Sequence, residues 1–200
     1  MMEEGDPDTP AKILVVGSIH GNEPAGIAIA RRVERLPIAR ETDRWVVSDL
    51  NPDGVAAGTR QNARGVDLNR NFPFAWRRLG RPGDQQFSGA APFSEPEARI
   101  VHALILRLRP KATVWFHQPL GVVDESGGRL ALERRFARLV GLRTRRLTRY
   151  PGSAVGWQNH RLPHTTAFVV ELPPGRITRG SLRTYASGIL AIARELGIVG

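Results

Sequence analysis

Runs of consecutive apolar residues alternate along the chain with segments whose apolar residues recur every three or four positions. Four runs have the length of a buried strand, and they cover residues 12–19, 45–50, 112–116 and 166–170. Residues 144–149 are a further candidate strand. Because a strand covered on both faces is apolar throughout, these runs predict a mixed sheet whose strands are mostly parallel.

Helical periodicity separates these strands. One helix is predicted shortly after the first strand, with Ile29 and Val33 on its buried face. Another is predicted to begin at Ser94, because Ser94 and Glu97 have the spacing of a capping box, and Ile100 lies on its apolar face. Two further helices are predicted over residues 130–140 and 182–196. The alternation indicates an α/β fold, here a three-layer α/β/α sandwich.

The length of the chain, 200 residues, suits one domain with its own core. We expect that domain to span residues 12–200 and the polar segment 1–11 to form a flexible N-terminal tail. Residues 51–54 (NPDG) predict a turn. The segment 55–93 is rich in Gly, Arg, Asn and Pro, and such a long connection without periodicity is usually either functional or disordered.

Composition narrows the chemistry. The chain has no cysteine, so disulfides, thiolate metal sites and a cysteine nucleophile are excluded, and a metal site must use His and carboxylates. The acidic first residues do not resemble a secretory signal, and no apolar run reaches the length of a membrane helix, so a cytoplasmic location without membrane contact is expected.

The formal net charge is +10, which is compatible with nucleic acid, with acidic small substrates or with a simple bias towards arginine. The arginines are scattered and lack the interleaved aromatic residues of single-strand binders. Nucleic acid is therefore not expected as a partner. The oligomeric state is not predicted.

Four ionisable residues follow or end predicted strands: His20, Asp49, His117 and Glu171. In open α/β sheets the ligand crevice lies outside the carboxyl ends of the strands. A lone histidine after a strand is usually not a ligand, so this placement indicates a region of the fold and leaves the roles open.

The pair His20 and Glu23 is more informative. A spacing of three lets both side chains face one point, and His117 supplies a distant third ligand. Two His and one Glu form a catalytic zinc set with one position left for water. Glu171, within an apolar strand, is a candidate for moving the proton of that water, although an ion pair with one of the arginines would also explain a carboxylate there.

The loop at residues 59–73 carries Arg60, Arg64, Asn69 and Arg70. Arginine binds carboxylates through two parallel hydrogen bonds. A zinc site beside such a loop suits a substrate with a free carboxylate next to the scissile amide, and one arginine could stabilise the oxyanion. A solvated basic loop is the alternative.

Five motifs together resemble the zinc carboxypeptidase family: HGNE at 20–23, NPDG at 51–54, GVDLNRNFP at 65–73, FHQPLG at 116–121 and VVELPPG at 169–175. Within that family the chain is similar to the bacterial murein peptide amidases, which cleave γ-D-glutamyl-diaminopimelate. The resemblance implies that His20, Glu23 and His117 hold one Zn²⁺ per chain, and that Glu171 is the general base and acid.

The resemblance assigns the loop residues as well. Asn69 and Arg70 match the pair that grips the terminal carboxylate of a small peptide substrate, and Arg60 matches the arginine that stabilises the oxyanion. Arg64 has no certain family role and is a possible substrate contact. The implied process is recycling of cell-wall peptides.

One departure concerns a tyrosine that many family members place over the site, shortly after a Gly-Ser-x-x-x-Trp stretch. Residues 152–161 read GSAVGWQNHR, so Asn159 or a neighbour occupies that place. Tyr150 precedes the stretch and is a poor substitute by position.

Two other functions stay open. One is an N-acyl amino acid deacylase of the succinylglutamate desuccinylase or aspartoacylase type, which shares the HGNE-like start, although NPDG and the NRNFP ending favour the peptidase. The other is a catalytically inactive basic binding module, against which the intact ligand set and Glu171 argue.

Overall fold

A computed structural model of the chain describes residues 2–4, 8, 9, 11–39 and 41–198. Its strands are β1 (Met2–Glu4), β2 (Lys12–Val16), β3 (Asp43–Val47), β4 (Ala112–His117), β5 (Val122–Asp124), β6 (Arg143–Arg145) and β7 (Thr166–Glu171). Its helices are α1 (Ala25–Glu34), α2 (Pro52–Ala57), α3 (Pro96–Leu108), α4 (Leu130–Val140), α5 (Ala154–Arg161) and α6 (Arg179–Ile198), with a short 3₁₀ helix at Leu68–Arg70.

The strands form one mixed sheet in the order β1-β3-β2-β4-β7-β5-β6. Strands β3, β2, β4 and β7 are mutually parallel in that order, and β5 and β6 are parallel to each other. The exceptions are β1 on β3 and β5 on β7, which pair antiparallel. The predicted mixed and mostly parallel sheet is confirmed.

Alternate residues of the central strands enter two separate apolar layers. Ile13 and Val15 pack with helices α1, α4 and α6 on one face. Leu14 and Val16 pack with α3 and α5 on the other face. Side chains alternate across a strand, so a continuous apolar run such as β2 needs helices on both sides, and the three-layer prediction is confirmed.

The helical predictions hold in outline and fail in two details. Ile29 and Val33 of α1 are fully buried, as expected. Helix α3 is capped at Glu95 with Pro96 in its first turn, and the Ser94 hydroxyl donates to the Glu95 carboxylate instead of forming a capping box. Ile100 is 63% exposed.

Where the chain is described, parts of the segment predicted as a flexible tail contact the sheet. Residues 2–4 pair with β3, and the buried Ala11 accepts a hydrogen bond from the Asp43 amide. Edge strands offer unpaired backbone groups, which an extended segment can satisfy whatever its side chains are. Residues 1, 5–7 and 10 lie outside the described residues.

The segment 51–93 contains more structure than its composition suggested. The predicted turn at 51–54 begins helix α2, because the Asn51 side chain caps the Gly54 amide and Pro52 occupies the first turn. Further along, the buried Asn71 amide donates to the Ser88 and Ala91 carbonyls and to the Ser94 hydroxyl. This part of the loop is therefore tied down by side-chain hydrogen bonds. Among the described helices, none is both long and apolar enough to cross a membrane.

Candidate active site

Three neighbouring parallel strands carry the predicted chemistry to one edge of the sheet. His20 follows β2, His117 ends β4 and Glu171 ends β7. His117 and Glu171 are paired in the β4–β7 register. Glu23 joins them because the chain turns at once after His20, where the Glu23 amide donates to the His20 carbonyl. The sheet register therefore aligns residues that are far apart in the sequence.

The side chains of His20, Glu23 and His117 converge on one point. His20 Nδ1 lies 3.0 Å from Glu23 Oε1, and His117 Nδ1 lies 2.9 Å from Glu23 Oε2. The two Nδ1 atoms are 3.1 Å apart. All three residues are buried. We call them the ligand cluster.

The donor set of the ligand cluster fits a zinc ion. Zinc bonds of about 2.0–2.2 Å put neighbouring tetrahedral donors about 3.3 Å apart, close to the separations found here. Three protein ligands also leave a fourth position for water or substrate. No other group of three or more His, Cys, Asp or Glu among the described residues has this convergence.

Asp67 holds the cluster from behind, and the sequence analysis missed it. Its Oδ1 lies 3.0 Å from His20 Nε2, and its Oδ2 accepts a 2.9 Å hydrogen bond from Arg60 Nε. An ionised carboxylate only accepts hydrogen bonds, so Nε2 of His20 donates to Asp67, and Nδ1 is the ring atom that faces Glu23 and would be available to a metal ion. A partner of this kind orients a metal-binding histidine.

The carboxylates of Glu23 and its neighbour Asp67 are held ionised. Burial alone would raise the pKa of Glu23, but the rings of His20 and His117 outweigh it and keep that pKa well below its usual range. For Asp67, burial is likewise outweighed, by His20 and Arg60, and the pKa lies well below its usual range. Both groups are therefore acceptors throughout the physiological range.

Arg60 belongs to the same network. Besides its bond to Asp67, its Nη1 donates to Glu23 Oε1 at 3.0 Å. The side chain is 22% exposed and lines the cavity in front of the cluster. Arg60 therefore has two donors committed to carboxylates and further N–H groups for a ligand.

Glu171 differs from the other acids of this region. It lies next to His117 across the sheet, its Oε2 accepts a 3.4 Å hydrogen bond from the Leu120 amide, and burial raises its pKa. Within the described part of the chain no arginine lies within 4.0 Å of its carboxylate. The ion pair that the sequence left open as an explanation of Glu171 is absent there.

Asn69 and Arg70 lie beside the cluster on the 3₁₀ helix. The Asn69 side-chain oxygen accepts the amide of Ala154, at the start of α5, which leaves its NH₂ group as the donor. Arg70 is buried, its Nη1 donates to the Asn69 carbonyl at 2.7 Å, and its Cζ lies 4.3 Å from the centre of the Tyr150 ring. These two contacts fix the orientation of the Arg70 guanidinium.

A cavity of about 330 Å³ joins these groups. Its lining includes the ligand cluster with Arg60 and Glu171, the group Asn69, Arg70 and Tyr150, and a further group on or near β5 and β6 that consists of Asp124, Ser126, Arg145 and Arg149. The ligand cluster and Glu171 therefore share one cavity with a separate group of charged side chains.

Comparison with known proteins agrees with this geometry. The peptidase M14 family model, described as zinc carboxypeptidase, matches residues 3–122. Murein peptide amidase A of Vibrio campbellii is 35% identical over 176 residues, which cover 80% of this chain and 69% of that protein. The chain belongs to the zinc carboxypeptidase family.

Two further relatives are similar. Murein peptide amidase A of Escherichia coli K12 is 34% identical over 123 residues, which cover 56% of this chain and only 51% of that protein, so the match spans about half of that relative's length. The crystal structure of murein-tripeptide amidase from Escherichia coli O157 superposes with a TM-score of 0.71 at 27% identity, covering 96% of this chain and 83% of that one. The members of this family are hydrolytic enzymes of the carboxypeptidase type, which act on peptides with a free carboxylate.

Two residues around the family site lie differently from what their sequence positions suggested. Tyr150, which looked poorly placed in the sequence, lines the cavity and packs on Arg70, while Asn159 instead bonds the backbone of Ala167. Arg64 is not among the residues that line the cavity. It is 66% exposed and its Nε lies 4.0 Å from Glu95 Oε2. Both residues lie on loops, where position in the sequence does not predict where a side chain points.

Asp49, which was grouped with the strand-end residues, takes no part in the site. Its Oδ1 accepts the Asn51 amide at 3.0 Å, and the residue does not line the cavity. Its carboxylate instead supports the turn into α2.

Proposed function

We propose that the chain is a zinc-dependent hydrolase that cleaves the amide bond before a C-terminal residue of a small peptide, in particular the γ-D-glutamyl-diaminopimelate bond of murein peptides. The convergence of His20, Glu23 and His117 next to Glu171 is the observation that carries the proposal. The relatives named murein peptide amidase support the choice of substrate.

His20, Glu23 and His117 would hold the zinc ion. When bound, zinc lowers the pKa of water to about 7 and acts as a Lewis acid towards a carbonyl oxygen. Asp67 keeps the His20 ring in the tautomer and orientation that this requires. These four residues would therefore hold and orient the metal ion, and other residues would bind the substrate and transfer the proton.

Substrate binding falls to Asn69 and Arg70. The planar guanidinium of Arg70 and the NH₂ group of Asn69 are donors that line the cavity and suit the two oxygens of a terminal carboxylate. The stacking of Arg70 on Tyr150 limits its rotation, which lowers the entropic cost of gripping the substrate.

Proton transfer falls to Glu171, and charge stabilisation to Arg60. Glu171 takes a proton from the attacking water and passes it to the nitrogen of the leaving residue. Burial raises the pKa of Glu171, which favours holding the proton between these two steps. Arg60 donates from its remaining N–H groups to the carbonyl oxygen as negative charge develops there.

A peptide-panel assay with Glu171→Gln tests the proposal. Purified protein with zinc added or removed is given γ-D-glutamyl-diaminopimelate peptides, ordinary C-terminal peptides and N-acyl amino acids. We expect zinc-dependent release of the C-terminal residue by the wild type and a loss of at least about 10³-fold in kcat for Glu171→Gln, with zinc content unchanged. Cleavage of N-acyl amino acids alone, or turnover by Glu171→Gln at the wild-type rate, would overturn it.

A further inference from the structure

Gln118 is a polar residue beside the ligand cluster to which the proposed reaction gives no role. It directly follows His117 at the end of β4, and its backbone amide donates to Glu23 Oε2 at 3.1 Å. The residue is half-buried. It lines the cavity in front of the ligand cluster and also a neighbouring cavity of about 850 Å³. Its side chain therefore lies where two cavities meet.

The side-chain amide of Gln118 is engaged by the protein itself. Its Oε1 accepts the amide of Ala25, the first residue of α1, at 3.2 Å. Its NH₂ group donates to the Pro173 carbonyl at 3.1 Å and to the Gly175 carbonyl at 3.0 Å. Because the partners are one donor and two acceptors, they determine which side-chain atom is oxygen and which is nitrogen. Both N–H groups are taken, so Gln118 has no side-chain donor left for a substrate.

The segment that follows β7 depends on Gln118 for its hydrogen bonds. We call residues 173–177 the strap, and its first two residues are prolines, which have no N–H. Within the described part of the chain, the backbone of the strap makes no hydrogen bonds other than the two that it accepts from Gln118. Ile177, at the end of the strap, packs against the apolar core. Gln118 is therefore the polar anchor of the strap.

Glu171 lies shortly before the strap and is weakly held by contacts of its own. Among the described residues its carboxylate makes one hydrogen bond, to the Leu120 amide at 3.4 Å, which is long for such a bond. The backbone on either side must therefore set the position of the carboxylate. On one side this is the β4–β7 register, and on the other it is the strap. A displacement of about 1 Å at a reacting group can lower a rate about 10²-fold.

Resting on the proposed function, we infer that Gln118 is a positioning residue of the reaction. Its side chain fastens the strap to the start of α1 and thereby holds the Glu171 carboxylate at the ligand cluster. The bond to Glu23 comes from the backbone of Gln118 and does not need the side chain. A change of the side chain should therefore disturb proton transfer and leave metal binding in place.

Gln118→Met tests this inference, because methionine keeps the length of the side chain and loses all three of its hydrogen bonds. For a γ-D-glutamyl-diaminopimelate peptide we expect kcat to fall about 10–100-fold and KM to change less than about 3-fold, with zinc content as in the wild type. If this variant does not fold, Gln118→Glu takes its place, since an ionised glutamate keeps the acceptor for the Ala25 amide and has no donor for the strap.

Gln61→Met is the matched control. Gln61 is also half-buried, and its Nε2 donates to a glycine carbonyl, that of Gly83, at 3.0 Å. It lines neither of the two cavities. The same substitution there removes the same kind of bond, so Gln61→Met should keep the kcat of the wild type. An equal loss of kcat in Gln61→Met and Gln118→Met would overturn the inference.

A double-mutant cycle distinguishes positioning from a general loss of structure. If Gln118 acts through Glu171, Gln118→Met should lower the residual rate of Glu171→Gln by less than about 2-fold. A merely structural role would lower that rate by the same factor as in the wild type, which would overturn the inference. Wild-type kcat in Gln118→Met would overturn it as well, and the proposed function would stand.

Hydrogen–deuterium exchange needs no turnover and separates the inference from the proposed function. The Leu172 amide, which donates to the His117 carbonyl at 2.7 Å, and the amides of residues 175–177 report on the strap. We expect them to exchange at least about 3-fold faster in Gln118→Met and at the wild-type rate in Gln61→Met. Faster exchange in a protein whose wild type cleaves no peptide would support the anchoring and contradict the proposed function. Unchanged exchange together with peptide cleavage would overturn the inference and leave the proposed function intact.

Discussion

Two groups of residues in the cavity lining, the ligand cluster and the charged group near β5 and β6, are built differently. At the ligand cluster, His20, His117 and Glu171 come from the ends of three adjacent parallel strands in the middle of the sheet, and the surrounding imidazole and guanidinium groups hold the pKa values of Glu23 and Asp67 below their usual range. Elsewhere in the cavity lining, the charged side chains of Asp124, Arg145 and Arg149 come from β5, β6 and the segment after β6, at the margin of the sheet. The ligand cluster thus depends on the centre of the sheet, and this second group of charged side chains depends on its margin.

The pKa values of buried carboxyl groups also differ between the centre and the margin of the sheet. Glu133 of α4 is fully buried, its Oε1 accepts the Gly128 amide, and its Oε2 has no hydrogen-bond partner among the described residues. Burial, assisted by the nearby charge of Asp124, raises the pKa of Glu133 to about 7. The pKa values of Glu23 and Asp67 at the centre are therefore lowered, whereas the pKa of Glu133 at the margin is raised.

Removal of His117 should have the largest effect. In His117→Ala the cluster loses one of three ligands, so zinc content should fall from about one ion per chain to near zero and activity by at least about 10³-fold. Metal analysis of the purified variant measures this. Because His160 is exposed on α5, His160→Ala is the control and should keep its zinc. Full zinc content in His117→Ala would contradict the ligand assignment.

Arg70→Ala comes next and tests the carboxylate grip. Loss of a charge-assisted carboxylate grip should lower kcat/KM on the order of 10²-fold for peptides with a free C-terminal carboxylate, and much less for their C-terminal amides. Arg64→Ala, on the same loop but exposed, should behave as the wild type. Equal losses for acid and amide substrates would show that Arg70 acts on the fold and does not grip the carboxylate.

Asp67→Asn should have a smaller effect at the centre. An amide can no longer hold the His20 tautomer as an anion does, so zinc affinity should fall about 10–100-fold in competition with a chelator. Asp53, exposed on α2, provides the control variant Asp53→Asn. Unchanged affinity in Asp67→Asn would mean that the cluster does not depend on its buried support.

Glu133→Gln tests the margin through stability. The folded pKa of about 7 lies above the ordinary value of 4.5, so the folded state binds more protons between these values, and wild-type stability falls as pH rises through this window. The glutamine variant has no charge to bury, so its stability relative to the wild type should rise by about 1–3 kcal/mol from pH 4.5 to pH 8.

Urea denaturation at the two pH values measures the difference, with Glu41→Gln at an exposed position as the control. A relative stability that does not change with pH would show that Glu133 titrates normally, and the contrast between centre and margin would then be lost.

Sequence reasoning recovered what depends on repeated physical patterns. The apolar runs predicted β2, β4 and β7, and because His20, His117 and Glu171 sit at their ends, the meeting of these side chains followed from parallel topology. Helices α2 and α5 were missed, since α2 has one buried residue, Gly54, and begins in a sequence typical of turns. Helix α5 is only eight residues long and starts at a Gly-Ser pair.

Other features depend on tertiary placement that no spacing reveals. Asp67 lies 47 positions after His20, and only the folded loop brings its carboxylate to the ring. Tyr150 and Arg64 show the same limitation for loops. Their sequence positions suggested Arg64 as a neighbour of the site, but Tyr150 lines the cavity and Arg64 does not. The zinc and peptide-binding roles of the predicted residues stay predictions until the variants above are measured.

The position of β6 at the end of the sheet has a further consequence. An outermost strand presents unpaired backbone groups to solvent, and charged side chains along it discourage another chain from adding to the sheet. Arg143 and Arg145 provide such charges on β6. Replacing both arginines with apolar residues would therefore remove a barrier to self-association, and the altered protein should aggregate more readily than the wild type.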